Sequence, residues 1–534
     1  MIERSENKEK SSDALGEVIS GAVSTSIELK LKTESEEVKI GFPVIVEGQK
    51  YDFFCIISDI LFPTSNAVTM LANADKLRNT IPMTSIDTAR GRVFYSIAEL
   101  QCVQMVDKLN KKTSQFETLP PYFSPGRLAN KEDVELVYQA EEEEQSETIG
   151  TLRGVEGFEI PIDFKKLIEV PFGIFGRTHS GKTFLNKIIL GNILNLNLAQ
   201  IFVFDMQSEY GWRSRADSSP GLKFFFENKV TLLGLDPSTS KQLDEELFIG
   251  ENEITPQDLI VAFQDLSPGM IDAIYEIERN KGDLTLIEAI KVAVDQNSDT
   301  LAPRTTRNTL NALGRRISRL ERLDFVVESG KGTLNNILLY LKKGQSIVID
   351  FGKYGADFFA YVFVANILSR RLYSAYSEMK DMTEYPHLVV LLEEAHKFLD
   401  PSVAKETIFD RLAREMRKFK LVLAMVDQRP SRIDSEILSQ LANRFILSLT
   451  DPKDIIGALS GPVDPASWRA IVKAMPPRTV LMFGDAIKAP TAMDILLYNE
   501  QTMTQKWNVK YIGSRLRESL AKKSDEDIDN IFKP

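Results

Sequence analysis

The chain has 534 residues, too many for one hydrophobic core, so two to four domains are expected. With 43% hydrophobic and 26% charged residues it has the composition of an ordinary soluble protein, and no apolar run reaches the roughly 18 residues that a membrane span needs. The net charge of −11 speaks against a protein that coats nucleic acid over its whole surface, and residues 1–150 carry −9 of it.

The N-terminus, MIERSENKEKSSD, is polar and mixed in charge, unlike a signal peptide, and residues 1–12 are expected to be disordered. Two cysteines, Cys55 and Cys102, make neither a metal site nor a disulfide framework, so a reducing cytoplasm is the expected location. Three histidines argue against histidine-rich metal chemistry.

From about Leu15 to Tyr138 the chain consists of short β-rich pieces separated by turns, such as Gly16–Gly21, Val38–Val46 and Tyr51–Ile60. That spacing suggests a small barrel or sandwich of an assembly or docking type, with one helical piece from Asn66 to Asn79. The run Glu141 to Glu144 reads as a solvated linker.

The apolar run Val170–Phe175 then leads into Gly176-Arg177-Thr178-His179-Ser180-Gly181-Lys182-Thr183, with helical sequence from Phe184 to Leu194. The spacing is that of a phosphate-binding P-loop. Its glycines let successive N–H groups turn inward on phosphate oxygens, and the following helix adds its positive end. Lys182 would reach the β/γ-phosphates of ATP, and Thr183 would offer its hydroxyl to Mg²⁺. A buried strand, Ala199–Asp205, completes a βαβ unit, so the fold class is α/β with a mainly parallel sheet. Asp205 stands at the sheet edge where such folds bind ligands, either as a site residue or as a helix cap.

Residues 251–300 read as helices and carry −8, whereas residues 301–320 hold Arg304, Arg307, Arg315, Arg316 and Arg319 without one acidic residue. These arginines could touch DNA phosphates or pair with the acidic helices before them, and pairing is the expected outcome. The sheet resumes at Gly344–Asp350. Leu388–Leu392 followed by Glu393 and Glu394 then has the form of a Walker B strand, its first carboxylate for Mg²⁺ and its second for the attacking water. The helix Ile408–Phe419 carries Arg411, Arg414 and Arg417, and the next strand ends in Asp427 and Gln428, placing Gln428 to sense the γ-phosphate.

Taken together, GRTHSGKT, FDMQSEY, LLEEAH, LAREMRKFK, DQRPS and FGDAIKAP resemble, in this order, HerA-type ATPases of the HerA/FtsK superfamily. The resemblance implies a RecA-like P-loop NTPase core over 149–230 and 335–500, a barrel over 13–148, a helical bundle inserted at 231–334 and a helical tail at 501–534. It implies a homo-hexameric ring acting on double-stranded DNA with a NurA-like nuclease, or with a sirtuin-like or nuclease defence effector, docked on the barrel. By position, residues Gly176 to Phe184 would bind ATP, Thr183 and Glu393 would hold Mg²⁺, and Lys182, Asp205, Glu209, Glu394 and Gln428 would serve catalysis. Arg414 and Arg417 would act in trans on a neighbour's nucleotide. Three positions depart from the family pattern: His179 where the loop usually has Gly, Met206-Gln207-Ser208 where Pro-His-Gly is usual, and Met416 where Gly is common. A second class of function, a nucleotide-bound ring that assembles an effector without moving DNA, fits the acidic N-terminal part.

Overall fold

The computed structural model describes residues 14–63, 95–139, 143–238, 242–296, 300–379, 381, 385–401, 407–461 and 463–509. The expectations for residues 1–12, for a helix at Asn66–Asn79 and for the tail beyond 509 lie outside them.

The N-terminal part is a barrel. Its strands are β1 (Gly16–Gly21), β2 (Ile27–Leu31), β3 (Pro43–Glu47), β4 (Tyr51–Leu61), β5 (Ile97–Asp107), β6 (Thr113–Gln115) and β7 (Pro125–Leu128). The order is β2-β1-β7-β3-β4-β5-β6, and a β2–β5 pairing closes six of the strands into a ring, which removes their free edges. Inward residues such as Leu29, Val44, Phe53, Ile57 and Leu100 fill its core.

One expectation is overturned here. Cys55 and Cys102 stand opposite each other on β4 and β5 and form a disulfide across 47 residues of chain. Only strand pairing brings them together, so spacing in the sequence does not reveal it. The inference of a reducing compartment loses the support it took from unpaired thiols. No helix among the described residues is long and apolar enough to cross a membrane.

Helix α1 (Lys131–Tyr138) leads out of the barrel, capped by a reciprocal Asn130–Asp133 box. The barrel is tied to the sheet domain by Tyr138, whose hydroxyl lies 2.7 Å from that of Thr491, and by Gln104 donating to the Lys488 carbonyl.

The second part is built on a large sheet. Its strands are β8 (Gly150–Leu152), β9 (Phe172–Phe175), β10 (Gln200–Asp205), β11 (Val230–Gly234), β12 (Ser346–Asp350), β13 (Leu388–Glu393), β14 (Leu421–Asp427), β15 (Asn443–Leu447), β16 (Thr479–Phe483) and β17 (Thr491–Ile495). From the two-residue edge strand Glu245–Glu246 the order is β11-β12-β10-β13-β14-β9-β15-β16-β17-β8. Pairing is parallel as far as β15 and antiparallel beyond it.

The central strands are apolar runs because both faces are covered. Ile201 and Val203 of β10 pack into one core, and Phe202 and Phe204 into the other. Helix α2 (Lys182–Asn195) follows β9 and is buried from Leu185 to Leu194. This is a RecA-like P-loop arrangement, an α/β fold with a mainly parallel sheet and an N-terminal barrel.

Between β11 and β12 the described residues form α3 (Pro256–Ala262), α4 (Pro268–Asn280), α5 (Leu286–Gln296) and α6 (Arg307–Ile317), followed by one more helix. Residues 231–234, expected at the start of this insertion, are instead part of β11, paired with β12. Val230–Gly234 is too short and too close to the helical text to be told from it by periodicity. Two arginines of the basic stretch are paired: Arg316 lies 2.7 Å from Asp265 and Arg319 lies 2.7 Å from Asp357. Helix α7 (Leu334–Lys342) returns the chain to β12, and α8 (Phe358–Ser377) packs on α3. Buried Asp258 of α3 binds Arg370 of α8 at 2.7 Å and Asn366 at 2.8 Å, which fixes the insertion to the sheet layer.

Candidate functional site

The carboxyl ends of β9, β10, β13 and β14 meet at one edge, where parallel sheets present ligands to loops and helix N-termini. A cavity of about 660 Å³ opens there. It is lined by Thr178, His179, Gly181, Lys182, Thr183 and Phe184 from the glycine-rich loop and by Glu209, Glu393, Glu394 and Gln428 from the other strand ends.

The loop owes its shape to residues in the left-handed region. Gly181 has φ +107°, which L side chains rarely adopt. His179 has φ +60° although it carries a Cβ. Such a conformation costs a non-glycine residue about 1–2 kcal/mol. Glycine would relieve that cost, while its greater freedom in the unfolded chain would return about 0.5–1 kcal/mol. His179→Gly is therefore expected to raise the melting temperature by roughly 1–3 °C. A fall on thermal melting would mean that imidazole contacts outweigh the strain.

Lys182 Nζ donates to the carbonyls of Gly176 (2.8 Å) and Arg177 (2.9 Å), and Ser180 Oγ donates to the Arg177 carbonyl at 2.7 Å. Burial pushes the Lys182 ammonium below its ordinary pKa, and Glu394, Asp427, Glu393 and Glu209 pull it back up.

Facing it, Glu394 follows β13 with φ +51°, a second non-glycine residue in the left-handed region. Gln428 donates from Nε2 to Glu394 Oε1 at 2.8 Å, and its Oε1 accepts the Thr178 hydroxyl at 2.5 Å. One amide thus bridges the P-loop and the Glu394 carboxylate. Glu393 accepts the Tyr210 hydroxyl at 2.6 Å, and burial pushes its carboxyl up to about 8. Glu209 is raised as well, chiefly by burial, while Lys187 and a hydrogen bond with Thr183 oppose the rise.

Asp205 does not line the cavity. It is fully buried, and its two oxygens accept the backbone N–H groups of Glu209 (2.9 Å) and Tyr210 (2.8 Å). Neither reading open at the sequence level, site residue or helix cap, is met: no helix follows directly, and Asp205 instead caps the turn carrying Glu209 and Tyr210. Arg414 does not line this pocket either, and is held by Asp410 and Glu436 at 2.7 Å each. The Arg417 side chain lies outside the described residues.

Several residues at the site were not legible as such. Tyr210 reaches Glu393 across 183 residues, Arg478 lines the cavity beside Gly181 with φ +62°, and Asp427 binds the backbone behind the strand tips. Only the sheet order brings these positions together.

Among the described residues no group of three or more His, Cys, Asp and Glu is arranged to hold a metal ion alone. The oxygen donors of Thr183, Glu209, Glu393 and Glu394 around one cavity suit a hard divalent cation that takes its remaining ligands from phosphate and water.

Residues 147–372 match the family model described as helicase HerA, central domain. The chain is 25% identical over 422 residues to the DNA double-strand break repair helicase HerA of Sulfolobus acidocaldarius, covering 76% of this chain and 80% of that protein. It is 28% identical over 363 residues to the protein of the same name from Sulfurisphaera tokodaii, covering 66% and 68%. The corresponding protein of Pyrococcus furiosus is 22% identical over 438 residues, covering 71% and 76%.

Proposed function

Because the chain is a HerA-type P-loop ATPase, we propose that its turnover drives a motor on double-stranded DNA, working as a homo-hexameric ring. In the same reading the ring serves a NurA-like nuclease, or a sirtuin-like or nuclease defence effector, docked on the N-terminal barrel. The observation that carries it is the cavity where Lys182, Glu394 and Gln428 converge, in a chain similar over most of its length to proteins named as DNA repair helicases.

The work is divided among the residues of the cavity. Backbone N–H groups of Gly176, Arg177, Thr178, His179, Ser180 and Gly181 would cradle the phosphates of ATP, with Lys182 neutralising the transferred group and Phe184 lying at the cavity wall. Thr183 and Glu393 would hold Mg²⁺, which would supply charge neutralisation for the phosphates when bound. Glu394 orients and polarises the attacking water, Glu209 stands beside Thr183, and Gln428 reports the γ-phosphate to the Glu394 carboxylate. Asp205 acts through the Glu209–Tyr210 turn. Arg414 and Arg417 would reach the neighbouring subunit's nucleotide from helix α9 (Ile408–Glu415) and the turn after it.

Steady-state ATP turnover with and without linear duplex DNA tests this reading, with Lys182→Ala as the blank. The motor reading expects stimulation of roughly tenfold or more that vanishes in the variant, since that substitution removes the charge compensating the transferred phosphoryl group. Turnover indifferent to DNA would favour the second reading, a ring that assembles an effector without translocating. One feature of the barrel favours that alternative: Tyr122 and Phe123 are 73% and 69% exposed, with ring centroids 6.3 Å apart.

A further inference from the structure

Glu394 is carried on a strained turn, and the structure shows what holds that turn in place. His396, two residues on, gives two hydrogen bonds to one carboxylate, that of Asp427 at the end of the neighbouring strand β14. Its backbone N–H donates to Asp427 Oδ2 at 2.6 Å, and its ring Nδ1 lies 2.9 Å from the same oxygen. The Asp427 carboxylate already accepts the backbone N–H groups of His396 and Arg429, and a carboxylate has no proton to give, so Nδ1 is assigned as the donor. Asp427 is fully buried and also accepts the Arg429 N–H at 2.6 Å, so it sets the turn that presents Gln428. The same Nδ1 lies 3.7 Å from Glu394 Oε2.

We infer that His396 is a positioning residue for ATP hydrolysis: its ring Nδ1–H, held by Asp427, locks the Glu394 turn against the Gln428 turn. The Gln428–Glu394 bond of 2.8 Å then spans two strand tips that cannot move apart independently. His396 does not line the cavity itself. This inference rests on the assignment of Glu394 as the water-orienting carboxylate.

The backbone bond to Asp427 survives any side-chain change, so the ring contribution can be isolated. His396→Ala is expected to lower kcat on the order of 10–100-fold, the usual cost of losing an outer-shell partner, with KM for ATP within about threefold of the parent. Asparagine places an N–H donor where Nδ1 stands, so His396→Asn is expected to restore kcat to within about threefold of the parent. Both variants are measured beside Glu394→Gln, with nucleotide binding and thermal melting to verify the fold. An unchanged kcat in His396→Ala overturns the inference, as does an Asn variant no better than Ala, or a loss carried by KM instead of kcat. Parent-like turnover in Glu394→Gln would overturn the Glu394 assignment itself, a result distinct from failure of the histidine alone.

Discussion

Glu394→Gln is expected to lower ATP turnover by about 10²–10⁴-fold, the range for loss of a positioned general base, while ATP remains bound. The substitution keeps the size of the side chain, and an amide oxygen can still accept from Gln428 Nε2, so the 2.8 Å bond across the cavity survives. What disappears is the negative charge that polarises water. That same charge is the largest one raising the pKa of Lys182 against its burial. Removing it leaves one fewer negative group beside the phosphates, so ATP affinity should hold or rise. Lys182→Ala should behave in the opposite way, losing affinity along with turnover. Single-turnover hydrolysis and equilibrium binding of a fluorescent ATP analogue separate the two cases. Turnover within threefold of the parent in Glu394→Gln would remove Glu394 from the chemistry.

The parts of this site that can be read in the sequence are those where function is local in the chain. The P-loop needs two glycines, a lysine and a hydroxyl within eight residues. Glu393, Glu394 and Gln428 each end an apolar run, and their strands β13 and β14 pair directly. What is illegible depends on sheet order. Tyr210 meets Glu393, and Asp427 meets His396, only because β10, β13 and β14 are neighbours. The same limit applies in the barrel, where the partner of Cys55 is set by strand register. Asp205 shows a different limit: a carboxylate at a strand end looks alike whether it faces a ligand or caps a turn, and hydrogen-bond geometry alone separates the cases.

Arg444 is where a sequence reading is least informative and a structural prediction strongest. In the sequence it is one arginine at the start of an apolar strand. In the fold it is among the largest fully buried side chains of the described residues, and its N–H groups donate to the carbonyls of Leu438 (2.6 Å), Ala458 (2.7 Å), Leu441 (3.3 Å) and Gly457 (3.4 Å). These carbonyls lie at or just beyond the C-terminal turns of the short helices Ser435–Ser439 and Pro452–Leu459, ends that carry partial negative charge; the Leu438 carbonyl also accepts the Leu441 N–H and the Gly457 carbonyl the Ser460 hydroxyl, so those of Ala458 and Leu441 depend most on Arg444. Burial pushes the guanidinium pKa down to about 10, which still leaves it charged at neutral pH. Arg444→Ala removes the donors, strands buried acceptors and opens a cavity, at a combined cost of about 3–5 kcal/mol. A melting temperature lower by roughly 10 °C is expected. Arg444→Met keeps most of the volume without the donors, so it separates the two contributions. If satisfying the carbonyls dominates, Met should melt nearly as low as Ala, and Lys, which retains an ammonium donor, should lie closer to the parent. A Met variant melting within about 2 °C of the parent would show that the four bonds are nearly balanced by the cost of burying the charge. The consequence reaches the nucleotide because Arg444 is paired with Gly173 of the P-loop strand, and Arg177 N–H donates to the Ser448 carbonyl at 2.9 Å. Loosening β15 should therefore weaken ATP binding before the sheet unfolds, a loss that appears in affinity measured well below the melting transition.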